Sequence, residues 1–265
     1  MSSSIGKAAS GTAGLVARAT RAFGQIALDR WEERRGRARP RTPEALARPE
    51  ILGPLLADHA PSESTPLPPL RSASLPGVEF ESSNCRNFLV EVEFASGADD
   101  ALPRTLYAKL PTPELATRAF ANAVGFWEVE TTFCQELAHR VPLRVPRVYA
   151  AAKRGARFVL LTENLHEIPG SRLFINRDMA AGTTPEVSQR CLRTFAALHA
   201  AFWGWDRTRR EALLSSRLHP FLGPGARARS RALNAMAIAP AHRKAPDLFR
   251  REHVDLCELA IDKWD

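Results

Sequence analysis

The clearest pattern along the chain is the two-residue alternation of "NFLVEVEF", residues 87–94, where Val90, Val92 and Phe94 fall on one side and Glu91 and Glu93 on the other. That period marks a strand with one buried face. Strand signals run from Val78 to Phe94; "SGADDALP" is turn material and "RTLYAK" (104–109) is the next strand. Three strand segments joined by short turns predict an antiparallel meander. The period then lengthens. Thr112 suits an N-cap, Pro113 the first helical position and Glu114 the positive end of a helix predicted to run to about His139, before Val141-Pro142. Two more strands follow, "RVYAAA" (147–152) and "RFVLLTE" (157–163), split by a turn at Lys153-Arg154-Gly155.

Beyond Pro169-Gly170 the chain turns helical. Thr184-Pro185-Glu186 opens a helix whose Val187, Cys191, Phe195, Leu198 and Phe202 make one apolar stripe, ending near Gly204. A second stripe, Phe249, Leu256, Leu259, Ala260 and Trp264, predicts a helix over about 247–264. At the other end, residues 14–36 place Leu15, Val16, Ala19, Phe23, Ile26 and Ala27 at near-helical spacing, with arginines around the rest of the wheel. Such a helix fits packing on its own protein or lying on a membrane surface. One short helix around 43–58 and a proline- and serine-rich linker follow, so the domain proper is expected to start near residue 70. There is no internal repeat.

Two charged residues interrupt this apolar framework. Lysine occurs at only five positions, 7, 109, 153, 244 and 263, and Lys109 lies inside "TLYAKL" on the side of Tyr107, opposite Leu106, Ala108 and Leu110. On the helix that follows, Glu130 has Phe126 and Trp127 before it and Phe133 and Cys134 after it, on the apolar face; Glu128 and Glu136 have neighbours that let them reach water. A carboxylate on a core-facing stripe needs a cation and hydrogen bonds. Lys109 is the best available partner, because sequential elements usually pack together. The alternative is a lysine snorkelling from a strand edge beside an incidental glutamate.

These residues carry a family resemblance. "LYAKLP", "EVETTFCQELA", "VPRVYAA" followed by "FVLLTENL", and "FAALHAAFWG" resemble, in order and spacing, the aminoglycoside phosphotransferase superfamily, most of all its choline-kinase-like and ecdysteroid-kinase-like branch. The match runs from about 75 to 204, with Glu130 and Phe133 in register and Cys134 in place of a tyrosine. The resemblance implies an α+β, protein-kinase-like fold: a five-stranded antiparallel N-lobe with one long helix (71–165, including the hinge), then an incomplete helical C-lobe (166–265), preceded by N-terminal helices and linker (1–70). It implies an ATP-dependent, Mg²⁺-assisted phosphotransferase acting on a small-molecule hydroxyl. Lys109 would hold the phosphates, Glu130 would fix Lys109, and backbone groups of Glu163, Asn164 and Leu165 would meet the adenine edge. The loop "ESSNCRN" (81–87) would cover the phosphates through Ser82, Ser83 and Asn84, though it lacks the usual glycine.

The pattern then fails. The only H-x-D triplet, His253-Val254-Asp255, has Ala260 where the family's metal-binding asparagine belongs, and its surroundings read as helix. Neither a catalytic aspartate nor metal ligands are identified. Three readings stay open: a phosphotransferase whose catalytic loop lies outside this sequence, a nucleotide-binding pseudokinase acting as an interaction protein, or a basic nucleic-acid- or membrane-binding module.

The net charge of +8 favours the last only weakly, because basic residues outnumber acidic ones by just ten to seven in 1–70 and twelve to eight in 201–265. No nucleic-acid partner is expected. Cysteines 85, 134, 191 and 257 form no C-x-x-C pair, which argues against zinc and disulfides and suits a reducing cytoplasm. No apolar run reaches bilayer length, and "MSSSIGKAASGTAG" has no signal-peptide core. His199 is expected to be a helix-packing histidine. The uncovered stripes of the last two helices are expected to drive self-association.

Overall fold

The computed structural model describes residues 2–37, 42–80, 82–95, 102–173, 182–206, 208 and 226–263. It is an α+β protein with one six-stranded antiparallel sheet and, among the described residues, eight α-helices. The strands are β1 (Leu70–Ser74), β2 (Glu79–Phe80), β3 (Cys85–Phe94), β4 (Thr105–Pro111), β5 (Val148–Arg154) and β6 (Arg157–Glu163). Their order is β1-β3-β4-β6-β5, with β2 also on β3.

The sheet has six strands rather than five. The unexpected member, β1, lacks an apolar alternation; it pairs with the far end of β3, where Ser72 and Ser74 donate hydrogen bonds to Glu93 and Glu91 at 2.9 and 3.0 Å.

Helices cover both faces of the sheet. On one face, Val90, Val92, Phe94, Leu106, Ala108 and Leu110 pack against Leu46, Ile51, Leu52, Leu55 and Leu56 of α2 (Pro43–Leu46) and α3 (Pro49–Asp58). The single helix expected around 43–58 is therefore two. Pro49 holds Arg48 in an extended conformation (φ −111°, ψ 116°) and opens a new helix at its own first position. The segment expected to precede the domain also contributes to its main core, so residue 70 is no packing boundary.

The opposite face is covered by α4 (Leu115–Val124), α5 (Phe126–Thr132) and a π-helical turn over Phe133–Leu137. Here the expected long helix is broken. Gly125 adopts the left-handed conformation (φ 87°, ψ 24°), ending α4 and starting α5, a role glycine fills without strain. The helix also starts later than expected. Glu114, not Thr112, is the N-cap, its carboxylate accepting from the amides of Ala116 and Thr117 at 2.8 and 2.6 Å. Past the break, Trp127 is fully buried and stacks on Phe158 of β6, with ring centroids 5.8 Å apart.

A third layer lies outside α4. Helix α1 (Ser2–Arg34) packs on it through Ala22 and Ile26, which join Ala119, Ala123 and Ala156 in a small cluster. The remaining helices are α6 (Pro185–Phe202), α7 (Ala226–Lys244) and α8 (Arg251–Asp262); α7 lies against α1, and α8 against α7. Helix α6 buries none of its residues fully: in its apolar stripe Cys191 and Phe195 are exposed while Val187, Leu198 and Phe202 are half-buried, and His199 is exposed rather than packed. No helix among the described residues is long and apolar enough to cross a membrane.

Candidate functional site

Strand alternation places Lys109 in the sheet's interior. It sits opposite Asn87 on β3 and Leu160 on β6, and its side chain leaves the sheet on the face covered by α5. Glu130 projects from α5 toward the same point, and its Oε1 accepts a hydrogen bond from the Lys109 ammonium. Burial alone would lower the pKa of this lysine; the charge and hydrogen bond of Glu130 overcome it, and the net shift is upward. Lys109 is therefore a fixed cation at neutral pH. The Glu130 carboxylate accepts from one ammonium N–H, which leaves donors for a second anionic partner.

The pair closes one end of a cavity of about 370 Å³. Its walls are largely apolar, with Phe133, Val148, Leu160 and Leu173 among them, and its other end is formed by Glu163, Leu165 and His166. The π-helical turn supplies Phe133 and Cys134 to this wall; such turns recur at functional positions because they re-aim side chains within a helix. Burial, reinforced by the charge of Glu130, pushes the Cys134 thiol up to about 12, so it is neutral packing and no nucleophile. Across the mouth, Phe80 stacks on His166 with centroids 4.7 Å apart and leans on Tyr107 at 5.3 Å.

The segment after β6 is held rigidly. The Glu163 carboxylate accepts from Arg144 at 2.8 Å and from the Arg147 amide at 3.0 Å, while the Glu163 amide donates to the Arg147 carbonyl at 2.8 Å. Asn164 is buried. Its Oδ1 caps the one-turn helix Leu165–Glu167 by accepting from the His166 amide at 3.1 Å, and its Nδ2 donates to Thr105 Oγ1 at 2.9 Å.

Of the residues singled out from sequence, Lys109, Glu130, Glu163 and Leu165 line this one cavity, and Asn164 braces its rim from beneath. Ser82 and Ser83 do not line it. They border a shallower neighbouring cavity that shares only Phe80 with it, and the Asn84 carbonyl accepts from the Thr112 amide at 3.3 Å. Glu128, expected to reach water, instead forms an ion pair with Lys153 at 2.7 Å, both largely buried. Sequence reasoning missed Phe80 and His166 as rim residues. Tyr107 was within reach of it, because strand alternation already puts it on the face of Lys109.

Asp255 lies in α8, exposed and ion-paired with Arg251 at 2.7 Å. Among the described residues, no group of three or more His, Cys, Asp or Glu side chains is arranged to hold a metal ion. No protein-family model, curated protein or solved structure was found to match this chain.

Proposed function

We propose that the cavity binds a nucleoside triphosphate, as the N-lobe of a protein-kinase-like, aminoglycoside-phosphotransferase-like protein. The observation that carries this reading is the Lys109–Glu130 pair standing at one end of an apolar cavity whose other end is the rigid segment after β6. A half-buried ammonium oriented by a carboxylate is suited to phosphate oxygens, and apolar walls are suited to a flat base. Glu163 uses its amide on Arg147, so contacts to the base edge fall to other backbone groups of 163–165. The aromatic rim of Phe80, Tyr107 and His166 offers ring faces to a heterocycle entering the mouth.

The resemblance extends this to transfer of a γ-phosphoryl group to a small-molecule hydroxyl. Such transfer needs a residue that orients the hydroxyl and acids that hold Mg²⁺. Asp255, exposed and paired with Arg251, is not in the cavity wall, and no step is assigned to it or to a metal. That placement favours a second reading in which the chain binds nucleotide without turning it over.

Isothermal titration with ATP, with and without Mg²⁺, tests the proposal. Saturable binding that weakens by about tenfold or more in Lys109→Ala is the expected result. Equal binding by wild type and Lys109→Ala, or none by either, overturns it. Phosphate release that tracks the purified protein and vanishes in Lys109→Ala decides for the enzyme over the pseudokinase.

A further inference from the structure

Helix α1 packs against α4 and α7, yet one of its apolar faces stays largely exposed. The inner face carries Ala22 and Ile26 into the cluster with α4. It also carries every acidic residue of the helix. Asp29 accepts a hydrogen bond from the Ala156 amide at 2.7 Å, Glu32 pairs with Arg157 at 2.5 Å, and Glu33 is half-buried on the side of Arg118. The outer face shows the opposite composition. Val16, Phe23, Leu28 and Trp31 are 61, 46, 53 and 43 % exposed, far more than helix packing requires. At 100° per residue, Phe23, Val16, Ala27, Trp31 and Leu28 share one broad side of the helix with Thr20 and, at its C-terminal end, Arg34; Arg30 stands at one border and Arg21 at the other. Arg34, Arg35 and Arg37 crowd the C-terminal end, all exposed. Two of them hold the Trp31 indole, with guanidinium carbons 5.6 Å (Arg35) and 4.8 Å (Arg37) from the ring centre. The neighbouring helix α7 contains no acidic residue along its length.

We infer that the outer face of α1 seats this protein on an anionic lipid surface. A largely apolar arc containing Phe and Trp, bordered on both sides by arginine and free of acids, matches a helix lying in the interfacial plane. The rings enter the headgroup–acyl boundary and the guanidinium groups meet lipid phosphates. Charge complementarity chooses this occupant over a neutral one. The apolar centre separates it from nucleic acid, because a phosphate backbone makes no use of Phe23 or Trp31. The inner face, anchored through Asp29 and Glu32, stays on the protein, so docking requires no unfolding of α1.

The experiment uses the full chain and vesicles of phosphatidylcholine with or without phosphatidylglycerol. Co-sedimentation with the anionic vesicles only, weakening between roughly 0.1 M and roughly 0.5 M salt, is expected. Phe23→Ser/Trp31→Ser should reduce binding by about tenfold or more, and Arg21→Glu/Arg30→Glu should do the same. All four side chains point outward, so an unchanged thermal midpoint is expected; the brominated-lipid arm, which compares wild type with the conservative Trp31→Phe, decides independently of any folding defect. Brominated anionic lipid should quench a component of tryptophan emission in wild type that is missing in Trp31→Phe. Absence of binding, quenching identical in wild type and Trp31→Phe, or binding of duplex DNA but not of vesicles overturns the inference.

Discussion

At the scale of single residues, the sensitive positions around the cavity are those whose hydrogen bonds leave no slack. Asn164 uses its amide nitrogen on Thr105, whose hydroxyl in turn donates to Glu167 at 2.5 Å. Asn164→Asp removes the only NH₂ in this chain of bonds and sets two carboxylates on one hydroxyl. A loss of about 1–3 kcal/mol is expected in urea titrations at neutral pH, partly recovered in acid as the new carboxyl protonates. Equal stability of variant and wild type would contradict the bonding described. The buried thiols and Lys109 make a second residue-scale case. Burial raises Cys134 from 9.0 to about 12 and raises Cys85 as well, and Lys109 is shifted upward by Glu130. Groups with raised folded-state pKa values contribute stability that is complete below their unfolded values and is lost as pH rises through the folded ones. Stability is therefore expected to be level up to about pH 9 and to fall toward pH 12, with a shallower fall in Cys134→Ala. A flat profile through that window in wild type would show that the thiol is not buried.

At the scale of elements, the β5–β6 turn is where α1 is fastened. Gly155 sits at φ +62°, and a Cβ there would lie 2.7 Å from Asp29 Oδ1. Asp29 also stands 3.5 Å from the buried Arg157 guanidinium. Gly155→Ala is expected to cost about 2 kcal/mol or more through backbone strain and displacement of Asp29. Asp29→Ala should cost about 2–4 kcal/mol, because the Ala156 amide loses its acceptor and Arg157 one of its acids. In the double variant the combined loss should be less than additive, since the clash disappears with the carboxylate; strict additivity would refute the contact.

Strand alternation made β3, β4 and the facing of Lys109 legible in advance, and the apolar neighbours of Glu130 pointed to the cavity's acid. Other elements were hidden for identifiable reasons. One glycine within a continuous helical pattern gave no sign that Gly125 would turn left-handed. Strand β1 is written in serines that bond to glutamates, not in apolar residues. The inner face of α1 rests on Ile26 and on small and charged side chains, Ala22 and Asp29 above all, while Val16, Phe23, Leu28 and Trp31, to which the eye goes first, are outside.

At the scale of the whole molecule, apolar surface is unevenly distributed. The sheet is covered on both faces, yet Leu192 and Phe195 on α6 and Leu256 and Leu259 on α8 are all more than half exposed. Exposed apolar groups clustered in this way favour association. Size-exclusion chromatography with light scattering is expected to show species heavier than the 29.2 kDa monomer at micromolar concentration, together with binding of an apolar dye. A clean monomer with little dye binding would show that these helices are covered in solution. Phe195→Ser/Leu192→Ser should move the distribution toward monomer without changing the melting of the sheet domain.

The anchoring of α1 also has a consequence in time. Its side-chain bonds to the rest of the fold reach far along the chain: Arg18 to the Ala123 carbonyl across 105 residues, Asp29 to Ala156 across 127. A ribosome adding about 5–20 residues per second therefore exposes this helix several seconds before its docking partners exist. Throughout that interval both of its apolar faces are open, the inner one included. Helix α1 must wait for the β5–β6 turn to be synthesised before it has its native seat.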